Sequence, residues 1–272
     1  MSSTHILTSM KELLKQLIGI KGMTILRLII SKYKSKEEKN LIKLRKHFYS
    51  QFIDSDDDIF FDVGANFGNR IEPIVDQGIK IIAIEPQIEC VEFLNKKYNG
   101  NITVVQKGLG EFEEVKTMYL SNTSTLSSFS KSWIEATKAS GRFSGYKWDK
   151  KRQISITTLD ALISLYGKPK FIKIDVEGYE LEVLKGLSQP IEYISFEYAM
   201  PEAKETILNC IDRIVEISPK NQVQFNYSVR EDLKWALKQW INPQQMKEVV
   251  YSHKFAESKF GDVYSKIQTQ SS

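Results

Sequence analysis

From residue 58 to the end of the chain, short runs of β-branched and aromatic residues alternate with stretches of helical periodicity. Residues 58–63 (DIFFDV) are largely apolar on successive positions, the mark of a strand buried on both faces. The pattern then predicts a helix over 67–77, a strand over 80–84 (KIIAI), a helix over 87–98 and a strand over 102–106 (ITVVQ). After an interruption come a strand over 153–157, a helix opened by Thr158 and ending near Gly167, a strand over 171–175 (FIKID) and a helix over 180–186. Strands over 193–197 (YISFE), 223–227 and 262–266, with helices over 204–217 and 231–240, complete the series. Such alternation predicts parallel strands joined by crossover helices: an α/β fold, a doubly wound sheet of about seven strands with helices on both faces.

The interruption has its own composition. Residues 121–130 (SNTSTLSSFS) hold seven Ser/Thr among ten, and 131–152 are basic and aromatic, with Trp133, Phe143, Tyr146 and Trp148. We read 121–152 as an insertion on one face of the sheet, and its aromatics argue that it is ordered. The expected organisation is a basic, helical N-terminal extension over 1–50 and one domain over 51–272.

Charge sharpens that division. The net charge of +4 hides an asymmetry: residues 1–50 carry eleven Lys/Arg against three Glu, and the remaining residues sum to −4. A basic arm can meet phosphate or anionic lipid. Residues 11–46 could lie on a membrane surface as an amphipathic helix, or pack on the body of the protein. The apolar stretch 13–30 is broken by Lys15, Lys21 and Arg27, so neither a bilayer span nor a signal peptide is expected. Two lone cysteines, Cys90 and Cys210, and three histidines without CxxC or HxxxH spacing argue against a zinc site or a disulfide framework. They point to the cytoplasm, with peripheral membrane contact left open.

Chemistry concentrates at three strand ends. The first is Asp62-Val63-Gly64-Ala65-Asn66-Phe67-Gly68, where a buried strand turns. Ligands of doubly wound sheets bind at such carboxyl ends. The GxxxG spacing lacks one glycine of the dinucleotide fingerprint, so a pyrophosphate fits poorly. A nucleoside without phosphate fits better, with Asp62 offering a carboxylate to an amino group. The second is Ile84-Glu85-Pro86, with Glu85 21 residues after Gly64. An acidic residue at that distance takes ribose hydroxyls. The third is Lys173-Ile174-Asp175-Val176-Glu177-Gly178-Tyr179-Glu180. Asp175 and Glu177 could orient a hydroxyl, act as general base or hold a divalent cation. Glu180 reads as support for the helix that follows. Glu197, ending the next strand, could face the same crevice.

Together the stretches FFDVGANFGNR, AIEP, TTLDAL, FIKIDVEGYELEVLKG, SFEY and FGDVY, in this order, resemble the FkbM family of S-adenosylmethionine-dependent O-methyltransferases. The resemblance covers residues 58–266, and KIDVEGYELEVLKG is its most specific element. It implies a class I methyltransferase (Rossmann-like) fold, seven strands with the last antiparallel. It also implies that Asp62, Gly64, Asn66 and Gly68 line the methionine and adenosine side of S-adenosyl-L-methionine, that Glu85, beside Pro86, takes the ribose, and that Asp175 and Glu177 lie near the transferred methyl group. Ser124-Thr125-Leu126-Ser127 matches a serine-containing loop that such proteins place after the third strand. Asn69-Arg70 departs from the pattern, in which a Thr often follows the glycine loop; Arg70 could pair locally or meet an anionic group.

The acceptor is expected to be an oxygen. No DPPY or NPPY stretch suggests amino-group methylation, and no cysteine motif suggests carbon methylation. The resemblance implies a hydroxyl of a sugar, glycan or polyketide-like natural product, with Asp175 the first candidate base and His253 a distant second. Trp133, Tyr146 and Trp148 suit stacking on a sugar ring and equally a satellite core under the loop. A divalent metal could polarise the hydroxyl through Asp175, Glu177 or Glu197, though two carboxylates near a strand end do not make a site. Nucleic acid is the alternative acceptor, read from the basic arm; a non-catalytic nucleotide-binding scaffold is another.

Overall fold

The computed structural model describes residues 19–268. Among the described residues ten strands form two sheets. In the main sheet, β1 (Ile59–Val63) pairs in parallel with β2 (Lys80–Ile84) and β7 (Phe171–Ile174); β3 (Thr103–Val105) extends β2, and β8 (Tyr193–Ala199) extends β7. The last strand, β10 (Phe260–Ile267), runs antiparallel between β8 and β9 (Val223–Val229). The order β3-β2-β1-β7-β8-β10-β9 is the seven-stranded, mostly parallel arrangement of a class I methyltransferase fold. A smaller sheet holds β4 (Gly108–Leu109), β6 (Lys150–Thr157) and β5 (Glu114–Leu120).

Why the central strands read as unbroken apolar runs is visible in the core. Successive side chains point to opposite faces of a strand. Phe61, Ile82 and Ile172 join one buried cluster while their neighbours Phe60, Ile81 and Phe171 join the other. By the same alternation Asp62, Lys173 and Asp262 share the face of Phe60, Phe171 and Tyr264. That face is covered by α2 (Lys36–Tyr49), which a Ser35–Glu38 capping box starts. Phe48 and Tyr49 are buried there, and Phe52 stacks on Phe171 at 4.7 Å and on Tyr264 at 5.4 Å between centroids. A boundary at residue 50 therefore runs through continuous core.

The other helices are α3 (Ile88–Tyr98), α4 (Lys131–Ala139), α5 (Leu159–Tyr166), α6 (Glu180–Lys185), α7 (Lys204–Ile217), α8 (Pro243–Tyr251) and α9 (His253–Glu257). Residues 19–32 are also helical and form α1, which leans on the body through Arg27 over the Phe67 ring at 4.0 Å. The same helix exposes Ile25, Ile29 and Ile30. Residues 11–18 of the basic stretch lie outside the described residues. Among the described residues no helix is long and apolar enough to cross a membrane.

Three sequence expectations are corrected. Residues 67–77 form turns and a single 3-10 turn, Val75–Gln77, because Gly68 takes φ +78° and Pro73 has no N–H to continue a helix. Residues 231–240 are not helical either. Arg230 and Leu233 both have φ +51°, Ala236 donates to the Tyr227 carbonyl, and Ile241 bridges Phe225, so this segment hugs β9. The strand expected at 153–157 begins at Lys150 and belongs to the small sheet. The insertion 121–152 contains α4 and the start of β6, and its Trp133 and Trp148 are buried with Leu126 and Ile134.

Candidate active site

Parallel strands leave their carboxyl ends free, and here those ends open into a cleft of about 230 Å³. Gly64 makes the closest approach. It sits at φ +84°, and a Cβ there would run into the backbone carbonyl of Asp175, so only glycine lets β1 turn against the end of β7. The turn is fixed by Gly64 N donating to Ile84 O at 2.9 Å and Asp175 N to Val63 O at 2.9 Å. Gly68 packs behind it on Tyr98, whose hydroxyl donates to the Gly68 carbonyl.

Glu85 ends β2 in the cleft wall and is 2 % exposed. Its carboxylate accepts from Asn66 N at 2.9 Å and Gln87 N at 2.7 Å, which orients it toward the glycine turn. Burial pushes its pKa up to about 7 against those two hydrogen bonds. Asp62 stands behind the wall, 1 % exposed, and its Oδ2 has no hydrogen-bond partner among the described residues. Burial raises its pKa to about 7 although Lys173 and Arg70 pull it down. A buried carboxylate oxygen without a donor is costly. Such an oxygen calls for a cationic or N–H donor.

Past β7 the chain turns through two left-handed residues, Glu177 at φ +55° and Gly178 at φ +83°. Glu180 Oε1 holds this turn by accepting from Val176 N at 3.3 Å and Gly178 N at 3.0 Å. The turn brings carboxylate oxygens of Asp175, Glu177 and Glu197 within 4.8 Å of one another. Their environments separate them. Burial would raise Asp175, but Lys173 at 3.3 Å and Arg70 at 3.8 Å hold it below the usual carboxylate range. Burial and the neighbouring Asp175 push Glu177 and Glu197 well up. Lys173 is fully buried and also donates to Asp262 at 2.8 Å.

The wall thus gathers Gly64, Asn66, Glu85, Pro86, Ser124, Asp175, Glu177 and Glu197, contributed by four strand ends and the serine-rich loop. Ser124 Oγ lies 3.4 Å from Asn66 Oδ1, and Gln87 Nε2 donates to the Ser124 carbonyl at 3.0 Å, so that loop closes over the glycine turn and the end of β2. Trp133 and Trp148 are not in the wall. Trp133 fills the space above Gly178, where a Cβ would strike its ring, and Trp148 Nε1 donates to the Leu126 carbonyl. Of the two readings open for these tryptophans, stacking on a sugar and a satellite core, their burial fits the second, a small core that backs the Glu177 turn. His253 begins α9 with its side chain 87 % exposed, outside the cleft wall.

Sequence reasoning missed Arg45 and Glu231, which line the cleft with Arg70. Glu231 accepts from Arg45 at 2.8 Å and from Arg70 at 2.8 and 3.0 Å. Burial alone would raise Glu231, but the two guanidiniums hold its pKa down at about 2. Lys173 inside the apolar strand FIKI signals buried carboxylate partners, but these are Asp175 and Asp262; no local pattern in the sequence points to Arg45 or Glu231.

The family model described as Methyltransferase FkbM domain matches residues 62–261. The hexuronic acid methyltransferase AglP of Haloferax volcanii is 28 % identical over 148 residues, 52 % of this chain and 54 % of that protein. The chain spans about half the length of this curated relative. Among solved structures, a precorrin-6y C5,15-methyltransferase from Geobacter metallireducens is similar with a TM-score of 0.40 and 12 % identity, covering 83 % of this chain and 87 % of that one. A TehB-like SAM-dependent methyltransferase from Corynebacterium glutamicum has a TM-score of 0.42 and 8 % identity, covering 83 % and 88 %.

Proposed function

The chain belongs to the FkbM methyltransferase family, and from that premise we propose that it transfers a methyl group from S-adenosylmethionine to a hydroxyl oxygen of a sugar or glycan. One observation carries the reading: a single cleft joins the glycine turn and Glu85 to the carboxylate trio of Asp175, Glu177 and Glu197. The residues fit the donor. Glu85 suits two ribose hydroxyls, Gly64 leaves backbone open to close approach, and the unpartnered Asp62 oxygen suits the donor's ammonium. When bound, the donor supplies an electrophilic methyl on a positively charged sulfur.

The chain's own residues then have two tasks, holding the acceptor oxygen in line and removing its proton. Asp175, kept ionised by Lys173 and Arg70, orients the hydroxyl by accepting its hydrogen bond. Glu177 and Glu197, whose pKa values burial and Asp175 raise, are the more basic members of the trio and the better matched to take the proton. This moves the base from Asp175, the first candidate by position, to the pair beside it. The three oxygens could also ligate a divalent cation, but Lys173 and Arg70 already neutralise Asp175, which favours the proton reading. Carboxylates outnumber cations in the cleft wall, which supports a sugar hydroxyl over a polyanionic nucleic acid.

Label transfer tests this. The protein is incubated with methyl-tritiated S-adenosylmethionine and methyl glycosides of hexoses and hexuronic acids. The expected product carries alkali-stable label, an ether, and Glu177→Gln lowers the rate by roughly 10²–10⁴-fold. Alkali-labile label would mean a carboxyl ester and would overturn the hydroxyl assignment; full activity in Glu177→Gln together with Glu197→Gln would remove the pair as the base.

A further inference from the structure

At one end of the cleft, two guanidiniums converge on one carboxylate. Arg45 comes from α2, before the span matched by the family, and Arg70 follows the glycine turn. The Arg45 side chain is 10 % exposed and that of Arg70 17 %, whereas Glu231 is 43 % exposed. The cations are built into the wall and the anion is the outermost member. Arg45 also has capacity to spare: its buried Nε has no hydrogen-bond partner among the described residues, and its Nη1 reaches the Asn69 carbonyl only at 3.5 Å.

We propose that Arg45 and Arg70 form a subsite for a ligand carboxylate, and that Glu231 occupies it in the free protein as an internal surrogate which the ligand displaces. The inference rests on the cleft being the methyl-donor site. A guanidinium binds a carboxylate through paired N–H donors, the geometry Arg70 already shows with Glu231. Two buried guanidiniums without a counter-ion would be costly, and Glu231 removes that cost while the site waits. Exchange of one carboxylate for another conserves both charge and hydrogen bonds, so entry requires no new desolvated ion.

The carboxylate has two possible sources: the amino-acid end of the donor, or an acidic sugar acceptor. Asp62 favours the first. Its unpartnered oxygen and Arg70, whose charge lowers the Asp62 pKa, offer an anion and a cation near each other, as an amino acid requires.

Calorimetry on the full chain tests the subsite and separates its sources. The probes are S-adenosylhomocysteine, 5′-methylthioadenosine, which keeps the nucleoside and thioether but has no carboxylate, and methyl glucuronoside added with methylthioadenosine present. Arg45→Met should weaken S-adenosylhomocysteine roughly tenfold or more, the worth of a charge-assisted hydrogen bond. Glu231→Gln should tighten it about threefold or more by removing the competitor, and methylthioadenosine should not respond to either change. A merely structural tie predicts the opposite sign for Glu231→Gln. The same pattern in methyl glucuronoside alone would assign the subsite to the acceptor. If wild type binds S-adenosylhomocysteine and neither carboxylate ligand responds to either variant, the subsite is overturned. Failure of wild type to bind either adenosine ligand would sink the donor reading, and this inference with it.

Discussion

Asp62→Asn should make the free protein more stable at pH 8 and, at the same time, a weaker binder of S-adenosylhomocysteine. Asp62 has a folded-state pKa of about 7 against an ordinary 3.8, because burial penalises its charge. A carboxyl whose pKa is raised on folding holds extra protons in the folded state. Its contribution is fully present below about pH 4 and is lost as pH rises to about 7. At pH 8 the ionised group therefore costs the fold on the order of 2–4 kcal/mol. An amide of the same shape removes that cost but gives up the attraction to Lys173, leaving a net gain of about 1–2 kcal/mol. For a domain of this size that is a melting rise of roughly 2–8 °C. Glu85 and Glu180, also near 7, act in the same direction. The wild-type melting temperature should fall from pH 5 to pH 8, less steeply in the variant. Asp175 and Glu231, both lowered, lose their contribution only as pH falls below the ordinary carboxylate range, outside that window. Donor affinity should drop roughly tenfold through loss of an ionic partner for the ammonium. An unchanged melting temperature at pH 8 would show that the Asp62 charge does not strain the fold, and unchanged affinity that the donor does not use it.

Lys173→Met should cost about 3–5 kcal/mol, because it strands Asp262 and Asp175 without their shared cation. Lys173 is fully buried, donates to Asp262 at 2.8 Å, and lies 3.3 Å from Asp175. Asp262 has one further partner, the Tyr264 hydroxyl at 3.3 Å, which cannot replace a charge. A melting loss of roughly 10 °C follows for a domain of this size. Lys173→Met combined with Asp262→Asn should recover part of it, since an uncharged pair avoids the stranded ion. The same substitution should let the Asp175 pKa rise toward the values of its two neighbours. A loss under about 1 kcal/mol in a urea melt would mean that water or a neighbour already solvates the pair.

The central sheet was legible because its strands are buried on both faces. Phe60 and Phe61 go to opposite cores, as do Ile81 and Ile82, and each such pair writes a continuous apolar run. The glycine turn and the acid beside it were legible for a related reason, since Gly64 and Glu85 follow the ends of consecutive strands. What escaped depends on contacts distant in sequence. Arg45 and Glu231 lie 186 residues apart and meet only once α2 and the segment after β9 fold over the same strand ends. The periodicity of 231–240 suggested a helix because its apolar residues do pack inward, Trp235 and Trp240 against the second core. The backbone nevertheless pairs with β9, a tertiary preference that local pattern does not carry. The tryptophans of the insertion show a similar ambiguity: Trp133 and Trp148 look the same in sequence whether they stack on a sugar or, as here, build a small core.

Titration of the full chain with S-adenosylhomocysteine at pH 7.5, beside Glu85→Ala, tests most directly that this cleft is the methyl-donor site. The account predicts one bound ligand per chain, with affinity lower by roughly a hundredfold in the variant, because two ribose hydroxyls lose a charged acceptor. No binding heat from wild type, or equal affinity in Glu85→Ala, would contradict it.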